Sequence, residues 1–596
     1  MSISSFALKE FAKKQFIQVL DSVRGRKGLV LDKQLSGPLS LIAEFSLLKE
    51  HGVEKIYHLQ KSKLETECKS LIYIVRPKIQ SMKWISEQIK YFVSLGLKLD
   101  YHLFFVPRRT LVCEMVLEAA GVFGSITFGE YHLDLIPLDE DVLSLEYDSA
   151  FKEIALNGDT TAIYYLAKAI MNLQTIFGLI PKFCGKGNNA NILSSTLLKM
   201  REELVSDLDD PAIQSKIFPP TSDFESMIII DRQVDLVTPM CTQLTYEGLI
   251  DEVFGIKSTF VELDQSLIGT QQQPPGTSLA TSSTNVSNKP KKVPLNSTDK
   301  LHFQLRDKNF AVVSGLLNQI AKRISDDYEG RHQAKTIGQI KDFIGRLGGL
   351  QAEHQSLRMH VNVCEQISKY TSEQEFHKNL EMQQSAVSGL ANQNHLDYIE
   401  EMIGKQRPIQ QILRLLCLYS LVNDGLKVKH FDFMKKEIVQ TYGYEQILTL
   451  QNLQKVGLLK KQVATSSLAL AKSNNFPSIR KSLRLIVDDV NEHTPNDISY
   501  VYSGFAPISI RLVQLATHKL VDETKKLDAN NNNNVIGWKN WEDALKLLNG
   551  VTFEETQKTF EDFLLPHKSR REFVVVTTNI LNGTTLMTEL MHNEDS

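Results

Sequence analysis

The chain reads as α/β plus all-α: two parallel-sheet α/β domains, the second interrupted by a large helical insertion. Three observations predict this. The first 140 residues alternate short apolar runs with amphipathic stretches, the pattern of βαβ units joined by helices of about 10 to 15 residues. Buried-strand patterns recur in two further places, before residue 240 and after residue 480. Nearly everything between those places follows the 3.6-residue helical period.

Taken in order, KGLVLD (Lys27 to Asp32) is a short strand, and PLSLIAEFSLLKEHG is a helix ending at Gly52. Ile56 to Leu59 and SLIYIVRP (Ser70 to Pro77) are strands. KWISEQIKYFVSLG is helical, YHLFFVP (Tyr101 to Pro107) is a strand, and RTLVCEMVLEAAG is a helix. FGEYHLDLIPLDEDVLSLE closes this section. A second α/β section begins near Leu135, with helices at 160–177 and 191–208 before the strand MIIID. Its completion lies in ISYVYSGFAPISIRLVQ (498–514) and EFVVVTTNILNG (572–583), both read as buried strands running into turns. The predicted limits are 1–134 for domain one, 135–245 with 481–596 for domain two, and 246–480 for the helical insertion. Residues 269–297 are rich in Gln, Pro, Ser and Thr and are predicted to be a disordered loop, because such a composition buries too little apolar surface to offset its ordering entropy. Asn530 to Asn534 is a second such tract.

Bulk composition excludes several classes of function. The 596 residues carry 67 basic and 70 acidic side chains, a formal charge of −3, which leaves no electrostatic footprint for nucleic acid. No apolar stretch approaches the roughly 18 residues that span a bilayer. The N-terminus mixes Lys, Glu and Gln into its apolar positions and reads as an amphipathic helix, not a signal peptide. Cys68, Cys113, Cys184, Cys241, Cys364 and Cys417 are far apart, with no C-x-x-C pair, and are predicted to be free thiols of a cytoplasmic protein.

The densest chemistry lies in MIIIDRQVDLVTPMCTQLTYEGLIDE, Met227 to Glu252. Its apolar run predicts a strand buried on both faces, and its polar residues crowd the strand's carboxyl end, where open α/β sheets bind ligands. Asp231 and Asp235 suit either of two roles. As a carboxylate pair they would serve acid–base work or hold a divalent metal, in a metal- or nucleotide-dependent hydrolase. As structural groups, Asp231 ends the strand, Arg232 pairs with a carboxylate, and Asp235 or Thr238 caps a turn. No histidine falls within this block. GKGNNA (Gly185 to Ala190) matches the dinucleotide pattern G-x-G-x-x-A, but IPKFC before it is a poor strand, so the pattern lacks its context.

The block IIIDRQVDLVTPMCTQLTYEGLIDE resembles the signature of the Sec/Munc (SM) family of SNARE-binding fusion chaperones. VPRRTLVCE, DLIPLDEDVLSLE, LRDKNFAVV, YVYSGFAPISIRLVQ and VVVTTNILNG agree with it in the same order, over nearly the whole chain. GPLSLIAEFSLLKEHGVEKIY and EIVQTYGYEQILTLQNLQKVGLL resemble the family's lysosomal and vacuolar branch. The resemblance implies a three-domain arch, no enzymatic activity, and no cofactor or metal. Its partners would be SNARE proteins, a class C vacuolar sorting subunit, and other subunits of the HOPS and CORVET tethering complexes. Membrane association on late endosomes, lysosomes or vacuoles would be indirect.

By the same resemblance, Lys435, Tyr444 and Ile447 would face the class C subunit, and Arg331, Lys335, Phe343 and Leu347 would line the SNARE side. Asp231, Arg232, Asp235, Thr238, Pro239 and Tyr246 would form a structural signature bracing domain two against the insertion. The family carries a hydrophobic strand before a glycine-rich turn late in domain two. Here LLNGVTFEE follows the helical WKNWEDALK directly, and the chain departs from the pattern.

Overall fold

The computed structural model describes residues 5–62, 64–206, 217–219, 221–268, 290–333, 337–462, 476–524, 535–536 and 572–592. The N-terminal unit is a five-stranded parallel sheet of β1 (Lys27–Leu31), β2 (Val53–His58), β3 (Ser70–Val75), β4 (Asp100–Phe105) and β5 (Ile126–Glu130), in the order β2-β1-β3-β4-β5. Alternate residues of its central strands supply two cores. Leu29, Leu31, Ile72 and Ile74 face α1 (Ser5–Asp21), α2 (Lys33–Ile42) and α3 (Phe45–Glu50). Val30, Leu71, Tyr73 and Val75 face α4 (Ile79–Ser94) and α5 (Leu111–Ala119). Burial on both faces explains why these strands are continuous apolar runs. The single helix expected to end at Gly52 is two helices, because Ala43 is extended between them.

The second unit is built from segments far apart in sequence. β6 (Ile136–Pro137) and β7 (Val142–Ser144) share a sheet with β14 (Val575–Thr577), which lies parallel to β7. β8 (Phe183–Lys186) lies parallel to both β9 (Met227–Ile230) and β13 (Val535–Ile536). Two helices, α6 (Thr161–Phe177) and α7 (Asn188–Ser206), pack on this sheet through Ile163, Ala167, Ile170, Leu193 and Leu197.

ISYVYSGFAPISIRLVQ is not a strand. Ile498–Tyr502 is a 3₁₀ turn opened by the Asp497 side chain. Ser503 and Gly504 then take positive φ, and a long helix runs from Ile508 to Thr524. Ile508, Leu512, Leu515 and Ala516 are its buried apolar residues among the described side chains, spaced for one face of a helix and not for one face of a sheet.

Among the described residues the insertion is helical except at its start. After α8 (Tyr246–Val253), β10 (Ile256–Lys257), β11 (Phe260–Leu263) and β12 (Lys291–Pro294) form a small antiparallel sheet. β12 falls within the stretch 269–297 expected to be disordered. Its pairing with β11 corrects that expectation for residues 291–294, and residues 269–289 lie outside the described residues, as do Asn530 to Asn534 and the WKNWEDALKLLNGVTFEE segment.

The helices that follow include α9 (Lys300–Leu305), α10 (Phe310–Gln333), α11 (Ile337–Thr371), α12 (Gln374–Ser385), α13 (Gln393–Gly404), α14 (Ile409–Val422), α15 (Val428–Tyr442) and α16 (Gln446–Val456), and a short helix lies at Phe476–Ser482. In the C-terminal segment the described helices are α17 (Ile508–Thr524) and α18 (Gly583–Leu590). Leu586, Met587 and Leu590 of α18 join the same core as Leu413, Leu416 and Leu450, so apolar packing runs across the limit placed at residue 480. The six cysteines are free: five are buried and Cys364 is half-buried. Among the described residues no helix is long and apolar enough to cross a membrane.

Candidate functional site

β9 delivers Asp231 to the edge of the sheet, and the structure shows what its carboxylate does there. One oxygen accepts the Gln233 N–H at 3.1 Å and opens the 3₁₀ turn Arg232–Val234. The other accepts the Asn189 N–H at 3.1 Å, in the first turn of α7. The unpaired amides and dipole of a helix N-terminus favour an anion, and Asp231 supplies it from within the chain.

The Gly185–Ala190 pattern gains a context the sequence reading denied it: β8 runs directly into Gly187, and α7 begins at Asn188. Gly187 has φ +104°, and a Cβ there would stand 2.3 Å from the Asp231 Cβ. A phosphate bound at this helix would need the seat the Asp231 carboxylate already holds. The strand–glycine–helix geometry of a nucleotide site is present, and its anion seat is filled.

Asp235 is used just as fully. Its carboxylate accepts the Thr238 N–H at 3.0 Å, the Thr238 hydroxyl at 2.7 Å and the Ser509 N–H at 3.0 Å. Ser509 lies in the first turn of α17, so each aspartate caps a helix from a distant part of the chain. Both carboxylates are buried, and all four oxygens accept hydrogen bonds, mostly from backbone amides. No three His, Cys, Asp or Glu among the described residues are placed to hold a metal. The hydrolase reading therefore has no free base at this strand end. Arg232 is exposed and makes no ion pair among the described residues, which corrects its expected part in the brace.

The rest of the signature reaches into the insertion. Thr238 and Pro239 open a 3₁₀ turn through Met240. The Met240 carbonyl accepts Arg414 Nε at 2.7 Å. Arg414 projects from α14, donates to both Glu252 oxygens at 2.7 and 2.9 Å and to the Thr242 hydroxyl at 3.1 Å, and is itself buried. α18 presses in beside it: a Cβ on Gly583 would lie 2.5 Å from the Pro239 carbonyl and 2.6 Å from Arg414 Nε. Tyr246 is fully buried at the start of α8, and its hydroxyl stands 2.7 Å from His360 Nδ1 on α11. His360 Nε2 stands 3.1 Å from Asp299, the residue that caps α9. A carboxylate only accepts, so Nε2 carries a proton there, and Nδ1 is the ring nitrogen paired with the tyrosine hydroxyl. Although burial works against it, the His360 bond and the Ser356 hydroxyl hold Asp299 well below the usual carboxylate range.

A second bridge joins Arg306, just past α9, to the β6–β7 connection. It donates to Asp139 at 2.7 Å and to Asp141 at 2.8 Å. Sequence reasoning missed Arg306 and Arg414 as functional residues. One signal was available for Arg414: PIQQILRLLCLYSLV places a single cation within an apolar helix, where a buried charge demands a partner.

The partner-facing residues fall on a different surface. Tyr444 is 84% exposed in the turn between α15 and α16, and Ile447 is 38% exposed one turn later. Leu448 on α16 and Phe433 on α15 are further exposed apolar side chains, while Lys435 is half-buried on α15. Arg331 is on α10, and Phe343 and Leu347 are on α11; their side chains lie outside the described residues, as does Lys335 altogether.

Comparison with known proteins agrees with this geometry. The Sec1 family profile matches residues 27–589, which include both split sheets and the entire insertion. The chain is a Sec1-family (SM) protein. It is 42% identical over 552 residues to vacuolar protein sorting-associated protein 33A of Rattus norvegicus, covering 92% of this chain and 86% of that one. It is 38% identical over 554 residues to the vacuolar protein-sorting-associated protein 33 homolog of Arabidopsis thaliana, covering 93% and 85%.

Among solved structures, this SM protein resembles that of the Unc18–syntaxin 1 complex from Monosiga brevicollis, with TM-score 0.54 and 15% identity over 98% of this chain and 100% of that one. It also resembles the SM protein Vps45 in complex with the Qa SNARE Tlg2, with TM-score 0.51 and 15% identity over 98% and 97%. SM proteins are non-enzymatic trafficking chaperones.

Proposed function

We propose that this SM protein binds SNARE proteins and acts as the SNARE-handling subunit of a HOPS- or CORVET-like tethering complex. In that role it promotes vesicle docking and fusion on the route from endosome to lysosome or vacuole. It holds SNARE helices on the insertion, around Arg331, Lys335, Phe343 and Leu347, so that part of their ordering entropy is lost before they zipper. It joins the complex through a class C vacuolar sorting subunit docked on Lys435, Tyr444 and Ile447, and reaches late endosomal, lysosomal or vacuolar membranes through its partners. Domain limits at 1–134, 135–245 with 481–596, and 246–480 complete this reading.

The observation that carries it is the α15–α16 surface. Tyr444, Ile447, Leu448 and Phe433 are large apolar side chains left in solvent on one helical hairpin, and exposed aromatic anchors of this kind mark interface hot spots. The 42% identity to a vacuolar protein sorting-associated protein 33A supports the choice of pathway. The test is a pull-down of the full chain with an assembled SNARE bundle and, separately, with the class C subunit. Capture of both is expected, and capture of neither overturns the reading.

A further inference from the structure

At one point the N-terminal unit, the split α/β unit and the insertion meet, and the contact is made by a two-residue turn. The β10–β11 hairpin turns through Ser258 and Thr259, with φ +48° and +66°. Two-residue hairpin loops with both φ values positive are the province of Asn and Gly, and a β-branched threonine there is strained. The facing residue is strained as well: Glu146, just past β7, has φ +47° although it is buried. The Ser258 hydroxyl donates to Glu146 Oε2 at 2.6 Å. Arg76, at the end of β3, donates to the Glu146 carbonyl at 2.5 Å and lies over the Tyr147 ring at 4.9 Å. On the remaining side, α2 offers Gly37, where a Cβ would come within 3.1 Å of the Ser258 hydroxyl oxygen.

Three non-glycine residues in left-handed backbone thus converge on one hydrogen bond, and a helix gives up a side chain to let the turn approach. Strain of this kind persists only where surrounding contacts over-determine it, and it gathers at switch regions. The turn belongs to a small sheet at the insertion's edge, and the contact it makes joins elements that are otherwise covalently distant.

We propose that the Ser258–Thr259 turn is an interdomain latch. Closed, as in this structure, it holds the N-terminal unit against the insertion through Glu146. Released, it relaxes the strained backbone on both sides and lets the two units move apart. This inference does not depend on the identity of any partner.

The test uses the full chain with nitroxide labels on Val93→Cys of α4 and Val361→Cys of α11, both exposed positions, in a Cys364→Ser background. Ser258→Ala removes the hydroxyl donor, and Gly37→Leu fills the space the turn occupies. Each is expected to broaden the inter-label distance distribution toward longer separations. Each is also expected to speed amide exchange in residues 256–263 by about tenfold, the scale of one hydrogen bond to a charged acceptor. Thr259→Gly keeps the hydroxyl and relieves the positive-φ strain, so it should leave the distances unchanged and slow the exchange. Distances unaltered in both Ser258→Ala and Gly37→Leu overturn the latch. A melt that collapses in Ser258→Ala overturns it too, because the contact would then be core packing.

Discussion

The Asp235 carboxylate accepts the backbone N–H of Ser509 at 3.0 Å, and the two residues are 274 positions apart. Asp231 makes the corresponding bond to Asn189, 42 positions away. Two aspartates at the end of one strand therefore cap the first turns of α7 and α17. The block acts by joining elements: it ties its own strand to a helix packed on the sheet and to a helix that returns from the far side of the insertion.

Removing Asp235 leaves the Thr238 and Ser509 amides without their acceptor. Asp235→Ala is expected to destabilise the protein by about 2 to 4 kcal/mol, the sum of a lost cap and a lost charge-assisted bond. The midpoint of denaturant unfolding measures this. A change below about 0.5 kcal/mol, the level of an ordinary surface substitution, would show that the brace is idle.

Gly187 and Asp231 should be coupled. Gly187→Ala places a methyl 2.3 Å from the Asp231 Cβ and adds the cost of a positive φ, so a loss of about 2 kcal/mol or more is expected. In the double variant with Asp231→Gly the steric part vanishes and only the backbone part remains. A double-mutant cycle reads the difference, and strict additivity would contradict the contact.

Arg414→Met strands the Glu252 carboxylate in a largely buried setting and is expected to cost about 3 to 5 kcal/mol. Arg414→Lys should recover little, because a point charge cannot serve Glu252, Thr242 and the Met240 carbonyl together. Replacing both partners, as Arg414→Met with Glu252→Gln, should return part of the loss, as followed by thermal melting.

The His302 imidazole is almost fully buried, and its pKa is held down to about 4. Burial is the first cause; the facing His360 and Arg306 add to it, while Asp299 and Asp139 oppose it. Folded His302 is thus neutral where the unfolded chain, with a histidine pKa near 6.5, binds a proton. Its contribution is complete above about pH 6.5 and is lost as pH falls toward 4, by about 3 kcal/mol in all. Buried carboxylates such as Glu589, pushed up to about 7 chiefly by burial, work in the opposite sense, so the measurement is a difference. The stability of wild type minus that of His302→Gln should decline with acidification across that window, and a flat difference would remove His302 as the cause.

Tyr444→Asp should abolish capture of the class C subunit while leaving the thermal melt within a few degrees, because the side chain is 84% exposed. Loss of the melt would show a structural role for Tyr444, and retained capture would move the docking surface elsewhere.

The central strands of the N-terminal sheet were legible, because a doubly covered parallel strand is an uninterrupted apolar run: SLIYIV is buried throughout, whereas the half-exposed edge strands were read short (β2) or not at all (β5). YVYSGFAPISIRLVQ was not. A short apolar run followed by Gly and Pro has the local appearance of a strand, and only packing against the core that holds Phe505, Ile508 and Leu512 makes its second half a helix. The strand before GKGNNA escaped notice for a related reason. FCGK has little strand propensity of its own and is extended because it pairs with Met227–Ile230 on one side and Val535–Ile536 on the other. β12 is the same case: Lys291 to Pro294 looks disordered in isolation and is held by Phe260–Leu263.

The sequence by itself determined the class of the fold, the family and the place where polar residues gather after β9, since all three rest on local periodicity and on runs of adjacent residues. The tertiary structure decided what those polar residues do. Nothing near Asp231 in the chain shows that its carboxylate fills the anion seat of α7, and nothing near Asp235 points to Ser509. Nor does any local pattern set Arg414 against Met240, or Ser258 against Glu146. A carboxylate at a strand end is a catalyst, a ligand or a cap according to which donors reach its oxygens. Here the deciding donors are two backbone amides, of Asn189 and Ser509, brought in by helices folded from distant sequence, and local groups of Gln233 and Thr238 fill the rest.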